Sequence, residues 1–172
     1  MYQELSEDEF VAKLENVAHS RWRMEFQRYY ASDTTQPRYQ QWLADGTVDW
    51  AYYDEWIPYM EKLRAEGKIV RRIKVVDEPL NDYWRFTYAQ VARLDAAGDS
   101  TRWLKRRDLV FDLFPANDFY ILDGRELLYL HFDAELRPAG FSLVDDAELV
   151  EAATRSFARA WNMASPHHEY RP

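Results

Sequence analysis

The spacing of apolar residues changes several times along the chain, and each change marks a predicted helix or strand. From Trp22 to Tyr30 apolar and polar residues alternate, which predicts a strand with one apolar face. The opposite face of that strand carries Arg21, Arg23 and Glu25. We therefore expect these three charges to be either hydrated or paired.

A second strand and the helix before it predict part of a parallel sheet. Residues 69–76, I-V-R-R-I-K-V-V, are rich in β-branched residues, which favour strands. A helix is predicted over residues 55–66 and ends at Gly67, a residue common just after a helix. This spacing is typical of a crossover connection, so the strands from Trp22 and from Ile69 are expected to be parallel neighbours.

Capping residues and turns locate the remaining elements. Ser6 and Glu9 form a capping box at the start of an N-terminal helix, and Asn81 is a plausible N-cap. Asp123-Gly124 predicts a tight turn between two hairpin strands. The same signals predict helices at 7–19, 37–43, 82–97 and 145–164, and strands at 101–107, 118–122, 127–133 and 140–144.

This order of elements predicts an α/β fold, with α+β as the alternative. We expect a single mixed sheet of about five to six strands with helices packed on its faces. A chain of 172 residues favours one domain, and 47% hydrophobic with 30% charged residues is a globular composition. Residues 1–172 are thus predicted to form one domain, in which 165–172 is a flexible tail.

Composition and charge exclude several classes of function. The chain has no Cys, so thiolate zinc sites, cysteine nucleophiles and disulfides are excluded. Its acidic opening, M-Y-Q-E-L-S-E-D-E-F, does not match a secretory signal, and no apolar run approaches the ~20 residues of a membrane span. We therefore expect a cytoplasmic protein. The net charge of −8 disfavours nucleic acid as a partner, because phosphates repel an acidic surface.

The predicted ligand site is the junction between the strand at 69–76 and the helix that follows it. In an open α/β sheet, ligands bind beyond the carboxyl ends of the strands, and Pro79 blocks further strand pairing here. Both signs of charge at this edge suit a small zwitterionic or polar ligand. The alternative is that these residues only cap and brace the turn. The candidate residues are Glu78, Asp82, Tyr83, Arg85, Arg107 and Asp123.

A weaker candidate site lies in the motif H-F-D at 131–133. His131 and Asp133 are predicted on the same strand face, about 7 Å apart from the strand rise. They provide half of a metal site or an oriented general base. No third ligand has a matching spacing, so the alternative is a histidine near water at the end of a strand.

The chain lacks the common catalytic motifs. It contains no G-x-G-x-x-G, P-loop, H-E-x-x-H or G-x-S-x-G sequence. Ser142 and Ser156 have no convincing base partner in the sequence. We therefore predict no catalytic residue and no cofactor. These absences do not exclude an enzyme, but they favour a binding function.

Four motifs resemble an actinobacterial family of domains of unknown function. They are E-P-L-N-D-Y-W-R at 78–85, R-W-L at 102–104, D-F-Y-I-L-D at 118–123 and H-F-D at 131–133. The family pattern is V-x-E-P-x-x-D-Y-x-R-F with D-F-W-L-F-D, and the likeness covers most of the chain. The resemblance implies a role beside helix-turn-helix regulators. More loosely, the chain is similar to phospholipase D-like sensor domains, but it lacks their H-x-K-x-x-x-x-D motif.

These observations lead to three hypotheses of function. The first is a non-catalytic accessory or ligand-sensing module associated with a DNA-binding regulator. The second is a small hydrolase or transferase with an Asp/Glu/His site that includes His131, with or without a divalent metal. The third is direct nucleic-acid binding through Arg71, Arg72 and residues 102–107.

Overall fold

The computed structural model describes residues 2–111, 114 and 116–172. Its strands are β1 (Tyr2–Leu5), β2 (Ser20–Glu25), β3 (Ile69–Val76), β4 (Asp99–Lys105), β5 (Asp118–Leu122), β6 (Glu126–Phe132), β7 (Pro138–Val144) and β8 (Ser165–Pro166). Its α-helices are α1 (Glu7–Glu15), α2 (Ala31–Thr34), α3 (Pro37–Asp45), α4 (Trp56–Ala65), α5 (Asp82–Ala97) and α6 (Ala147–Met163). Short 3₁₀ helices occupy Ala51–Tyr53 and Arg106–Phe111. No helix in this described part of the chain has both the length and the apolar character needed to cross a membrane.

The strands form one mixed sheet in the order β1-β7-β6-β5-β2-β3-β4-β8. β2, β3 and β4 are parallel, and Arg23 lies opposite Arg72, so the predicted parallel pair is confirmed. β5 pairs antiparallel with β2, and the antiparallel order continues through β6 and β7 to β1. The predicted α/β class with a single mixed sheet is therefore confirmed.

The sheet has eight strands, more than the five to six predicted, because its two edge strands carry no readable pattern. β1 has four residues and pairs with β7, while β8 has two residues and pairs with Arg102 and Trp103 of β4. Such short strands are held by backbone pairing with a neighbour that is distant in sequence. The alternation of side chains cannot reveal them.

Local signals in the sequence correctly locate several boundaries. The Ser6 side chain accepts a hydrogen bond from the Glu9 backbone, and the Asn81 side chain accepts one from Trp84 at 2.9 Å. Asp123 has a φ of 53° and is followed by Gly124 at 65°, as a type I′ hairpin turn requires. The caps at Ser6 and Asn81 and the turn at Asp123-Gly124 are therefore confirmed.

Helices cover both faces of the sheet. On one face Phe157 of α6 packs with Met24 and Ile73 in the main apolar core. On the other face Trp84 of α5 packs against Trp103 of β4 in an aromatic cluster. Because successive strand residues point to opposite faces, Arg23 and Glu25 of β2 and Arg72 and Lys74 of β3 lie on the α5 side.

The C-terminal residues pack against the aromatic cluster, whereas the sequence led us to expect a flexible tail at 165–172. The Tyr170 ring stacks on Trp103 at 5.2 Å between centroids, and Tyr170 is 4% exposed. Its hydroxyl donates to Glu78 at 2.9 Å, and Trp103 Nε1 donates to His167 Nδ1 at 3.1 Å. Long-range stacking therefore orders this segment.

Candidate functional site

A cavity of about 580 Å³ lies on the α5 side of the sheet. Its floor comes from the central parallel strands. Its walls come from the segment 30–56, from α5 between Tyr83 and Leu94, and from residues of β6 and β7. Four cations line it together with several carboxylates and aromatic rings. The charged residues of the lining are Arg23, Glu25, Asp33, Arg38, Glu55, Arg72, Lys74 and Asp99.

Strand alternation and register bring the floor charges together. Arg23 and Glu25 are two apart on β2, and Arg72 and Lys74 are two apart on β3, so each pair shares a face. The parallel register sets Arg23 beside Arg72 and Glu25 beside Lys74. The polar face of β2 is thus paired with the polar face of β3.

Glu25 is the centre of the floor. Its carboxylate accepts hydrogen bonds from Arg72 Nη1 and Lys74 Nζ, each at 2.6 Å, and Arg23 Nε lies 3.1 Å from it. Burial acts to raise the Glu25 pKa, but the three cations outweigh burial and hold that pKa well below its ordinary value of 4.5. Burial lowers the pKa of Lys74, although Glu25 opposes this shift. Arg72 also donates to both oxygens of Asp99, at 3.2 and 2.9 Å.

A second buried carboxylate stands beside this centre. Asp118 is fully buried and accepts hydrogen bonds from the Tyr30 hydroxyl and from the Phe26 backbone at 2.7 Å. Burial raises its pKa, and the positive charge of Arg23 only partly offsets this. Arg23 Nη2 lies 3.7 Å from the carboxylate, which is an ion-pair distance rather than a hydrogen bond.

Arg23 differs from the other lining arginines because its donors are not used. Its Nε is buried without a hydrogen-bond partner, and within the described residues its terminal nitrogens make no hydrogen bond either. The guanidinium is held between the rings of Tyr30 and Tyr120, at 5.7 and 5.1 Å from their centroids. The side chain is 17% exposed and lines the cavity, so its terminal N–H groups can reach a bound molecule.

The helical wall is held by Arg38. Its guanidinium pairs with Asp33, donates to Gln90 at 3.4 Å and lies 3.8 Å from the Tyr52 ring centroid. The Tyr53 hydroxyl donates to Gln90, and burial raises the pKa of Tyr53 to about 12. The segment 30–56 is therefore tied to α5 through polar side chains.

Of the six predicted ligand residues, only Tyr83 lines the cavity. Its hydroxyl donates to Asp33 at 2.8 Å. Glu78 lies elsewhere, at the end of β3, where its carboxylate contacts Lys105 Nζ at 2.7 Å. Asp82 and Arg85 are exposed and lie 3.5 Å apart.

The last two predicted ligand residues are also outside the cavity. Arg107 is exposed, with Asp108 at 3.8 Å. The Asp123 carboxylate accepts hydrogen bonds from the backbone of Ala18, His19 and Ser20, at 2.7–2.8 Å. The structure therefore does not bring these six residues into one site.

The two residues of the predicted metal pair, His131 and Asp133, contact different partners. His131 lies between Asn117 Nδ2 at 3.0 Å and Ser142 Oγ at 2.9 Å. Asp133 pairs with Arg137 at 2.8 Å. Among the described residues, no three His, Asp or Glu side chains are grouped to hold a metal ion. No pattern in the sequence indicates the histidine partner of Ser142. Ser142 is 0% exposed, however, so its hydroxyl cannot reach a substrate.

A more open depression of about 700 Å³ lies beside Phe26. Its charged lining residues are Arg28 and Arg106, and both pair with Asp77, at 3.1 and 3.2 Å. Its remaining lining is largely apolar. The cavity over the central strands therefore offers more varied polar chemistry.

Similar solved structures share the fold of the chain. Nuc from Salmonella typhimurium, a phospholipase D family member, aligns with a TM-score of 0.56 and 13% identity, over 99% of this chain and 95% of Nuc. NucT from Helicobacter pylori aligns with a TM-score of 0.56 and 10% identity, over 96% of this chain and 97% of NucT. The archaeal chromatin protein TrmBL2 aligns with a TM-score of 0.50 and 12% identity, over 96% of this chain and 53% of TrmBL2. The loose likeness to phospholipase D-like domains is thus confirmed for the fold.

The sequence itself points to one family. No curated protein sequence matches the chain. A family model matches residues 8–172, which is nearly the whole chain. The chain therefore belongs to the domain of unknown function family DUF6879.

Proposed function

We propose that the domain is a non-catalytic, cytoplasmic module that binds a small polar ligand and reports its binding to a DNA-binding regulator of the helix-turn-helix class. The observation that carries this proposal is the cavity of about 580 Å³ over the central strands. Its size lies within the range of small-molecule sites, and its buried polar groups converge on one space. Such a site suits recognition of a metabolite.

The absence of a catalytic motif supports binding over phosphodiester cleavage. The solved structures that share this fold include a phospholipase D family member. The sequence of this chain contains no H-x-K-x-x-x-x-D motif. We therefore favour a binding role for the fold in this chain.

A fold-level likeness supports the link to a regulator. TrmBL2 is described as an archaeal chromatin protein that binds DNA, and this chain aligns with about half of it. A domain of this fold thus forms part of a longer DNA-binding protein. This is an analogy of fold, so the partner requires its own test. The test is to purify the tagged chain from its own cells: a co-purifying helix-turn-helix protein is expected, and its absence would contradict the regulator association.

The structure disperses the basic residues that the nucleic-acid hypothesis requires. Arg72 is paired inside the cavity. Arg71 and Arg102 lie on the other face and stack on Trp161, at 5.0 and 4.5 Å. Together with the net charge of −8, this division favours a small ligand over direct nucleic-acid binding.

The hydrolase hypothesis finds less support in the site. Asp133 is occupied by Arg137, and the Ser142 beside His131 is buried. Purified protein that holds a metal, and loses it in Asp133→Ala, would favour an enzyme instead.

The test of ligand binding is a thermal-shift screen of the whole chain against a panel of polar metabolites. A ligand that binds only the folded chain raises Tm according to its concentration over Kd. Thr87 lines the cavity on α5, and Thr87→Trp fills part of it. Ala89 is exposed on the same helix, so Ala89→Trp is the matched control.

The expected result is a shift in the wild type and in Ala89→Trp that is lost in Thr87→Trp. If no metabolite raises Tm, or if Thr87→Trp responds as the wild type does, this cavity is not a ligand site.

A further inference from the structure

We infer that the cavity binds a zwitterion of the α-amino-acid class, with its carboxylate on Arg23 and its ammonium on Glu55. This inference rests on the proposed function, because it names the ligand of the same cavity. Three features of the cavity lead to it: one unused cation, one unused carboxylate and a charge balance among the rest.

The unused cation is Arg23, in the sense that its N–H groups have no hydrogen-bond acceptor among the residues described, although the guanidinium forms ion pairs with Glu25 and Asp118. Its terminal nitrogens make no hydrogen bond within the described residues, and the nearest carboxylates, Glu25 and Asp118, are at ion-pair distance only. Guanidinium N–H groups match the two oxygens of a carboxylate as a bidentate pair. A half-buried donor without an acceptor is costly, and a ligand carboxylate removes that cost.

The unused carboxylate is Glu55, which lines the cavity just before α4. In the part of the chain that the structure describes, its side chain has no ion pair and no hydrogen bond. Its neighbours in the lining include the rings of Tyr53 and Trp56. A carboxylate beside aromatic faces is a favourable place for an ammonium group.

The other lining charges already neutralise one another. Arg72 pairs with Asp99 and Glu25, and Lys74 pairs with Glu25 as well. Arg38 pairs with Asp33 on the helical wall. A simple anion would add a negative charge to a space already lined by the exposed carboxylate of Glu55, and burying an unpaired charge is unfavourable. A zwitterion adds no net charge and satisfies both unused groups.

Apolar side chains form the rest of the wall and favour an apolar ligand side chain. They include Phe86, Val91, Leu94, Leu130 and Phe132. Burial of apolar surface against them adds to affinity without further polar partners. Among amino acids, we therefore expect the larger apolar ones to bind most tightly.

The experiment uses the whole chain and each of the twenty standard L-α-amino acids, first by thermal shift and then by calorimetric titration of the tightest binder. Two analogues of that amino acid are compared: the N-acetyl form, which lacks the ammonium, and the decarboxylated amine. Each should bind at least about tenfold more weakly, the affinity change that the loss of one good charged contact gives.

Variants separate the two contacts. Glu55→Gln should weaken the amino acid about tenfold or more and leave the N-acetyl analogue unchanged, since the analogue never uses Glu55. Glu61→Gln, on the exposed side of α4, is the matched control and should change neither. Arg23→Lys keeps the charge but loses the paired donors, so it should weaken the amino acid and not the amine.

The outcomes distinguish this inference from the proposed function. If no amino acid binds while another metabolite does and is blocked by Thr87→Trp, the zwitterion inference is overturned and the sensor function stands. Equal affinity of the amino acid and its N-acetyl form in the wild type would also overturn it. If nothing in either panel binds, both proposals fall.

Discussion

Replacing Glu25 by Gln tests whether the buried charges form one coupled network. Glu25 accepts hydrogen bonds from Arg72 and Lys74 and lies 3.1 Å from Arg23. Gln has nearly the same shape, so the change removes the negative charge without opening a cavity. Three cations then share the remaining carboxylates, and Lys74 loses its anionic partner.

The expected cost is large because both partners are buried. Removing one member of a buried ion pair typically costs about 3–5 kcal/mol, since an uncompensated charge stays inside. For a domain of this size, each kcal/mol lowers Tm by about 2–4 °C, so the expected drop is about 6–20 °C. The double variant with Lys74→Met should be less destabilised than the sum of the two single variants by about 1 kcal/mol or more, because it removes the unpaired cation.

Urea unfolding followed by tryptophan fluorescence measures these free energies. Glu151→Gln is the control, since Glu151 and its partner Arg155 are both exposed on α6 and such pairs contribute little. The folded-state pKa of Glu25 is depressed, so its stabilisation is complete above the unfolded value of 4.5 and falls as pH drops toward the folded value. A loss below about 1 kcal/mol at pH 7, or additive double variants, would refute the coupled network.

Three further predictions concern the ends and turns of the fold. Tyr170→Ala should lower the free energy of unfolding, measured in urea, by about 3 kcal/mol, because a buried aromatic stack on Trp103 is lost. An unchanged urea midpoint would contradict the packing of the C-terminal residues. Burial lowers the pKa of His167 below 6.5, so folding favours its neutral form. The Tm of the wild type should therefore fall as pH drops below about 6.5, and that of His167→Gln should fall less steeply. His168 is exposed, so the control His168→Gln should follow the wild type. Asp123→Ala should lower the free energy of unfolding by about 1–3 kcal/mol, because the carboxylate accepts backbone hydrogen bonds. Asp123→Asn should lower it less, because Asn keeps one acceptor and tolerates the positive φ. Equal thermal stability of the two variants would contradict this role.

Local physics explains why the elements could be predicted from sequence. The alternation from Trp22 and the β-branched run from Ile69 each require only neighbours along the chain. Both strands form, although the first ends at Glu25 and not at Tyr30 as predicted. Asn81 and Asp123 act within three residues or in a two-residue turn, so their roles as cap and turn are also visible locally. The edge strands β1 and β8 depend on distant partners and could not be found this way.

The candidate site shows the same division between local and distant information. The sequence placed polar residues such as Glu78 and Arg85 at the strand–helix junction, and in the structure they contact neighbours at the surface. The cavity instead lies on the sheet face, where Tyr83 is the one predicted ligand residue in its lining. The sequence contained one signal for this cavity: charged residues lie on strands that occupy the centre of the sheet. The polar face of a buried strand must find partners, so those charges indicate a polar site on that face.

By itself, the sequence determined the central strands and the longer helices, the parallel crossover, the α/β class and the presence of charges on one face of β2. Only the tertiary structure decided that Glu25 would meet Lys74 and Arg72, and that Arg23 would keep its donors free. The physical reason is that the two-residue period along a strand decides which of its side chains share a face. The register between strands that are distant in sequence decides which charges on those faces pair. The proposed ligand site uses groups that this pairing leaves without a hydrogen-bond partner, so it could be proposed only from the tertiary structure.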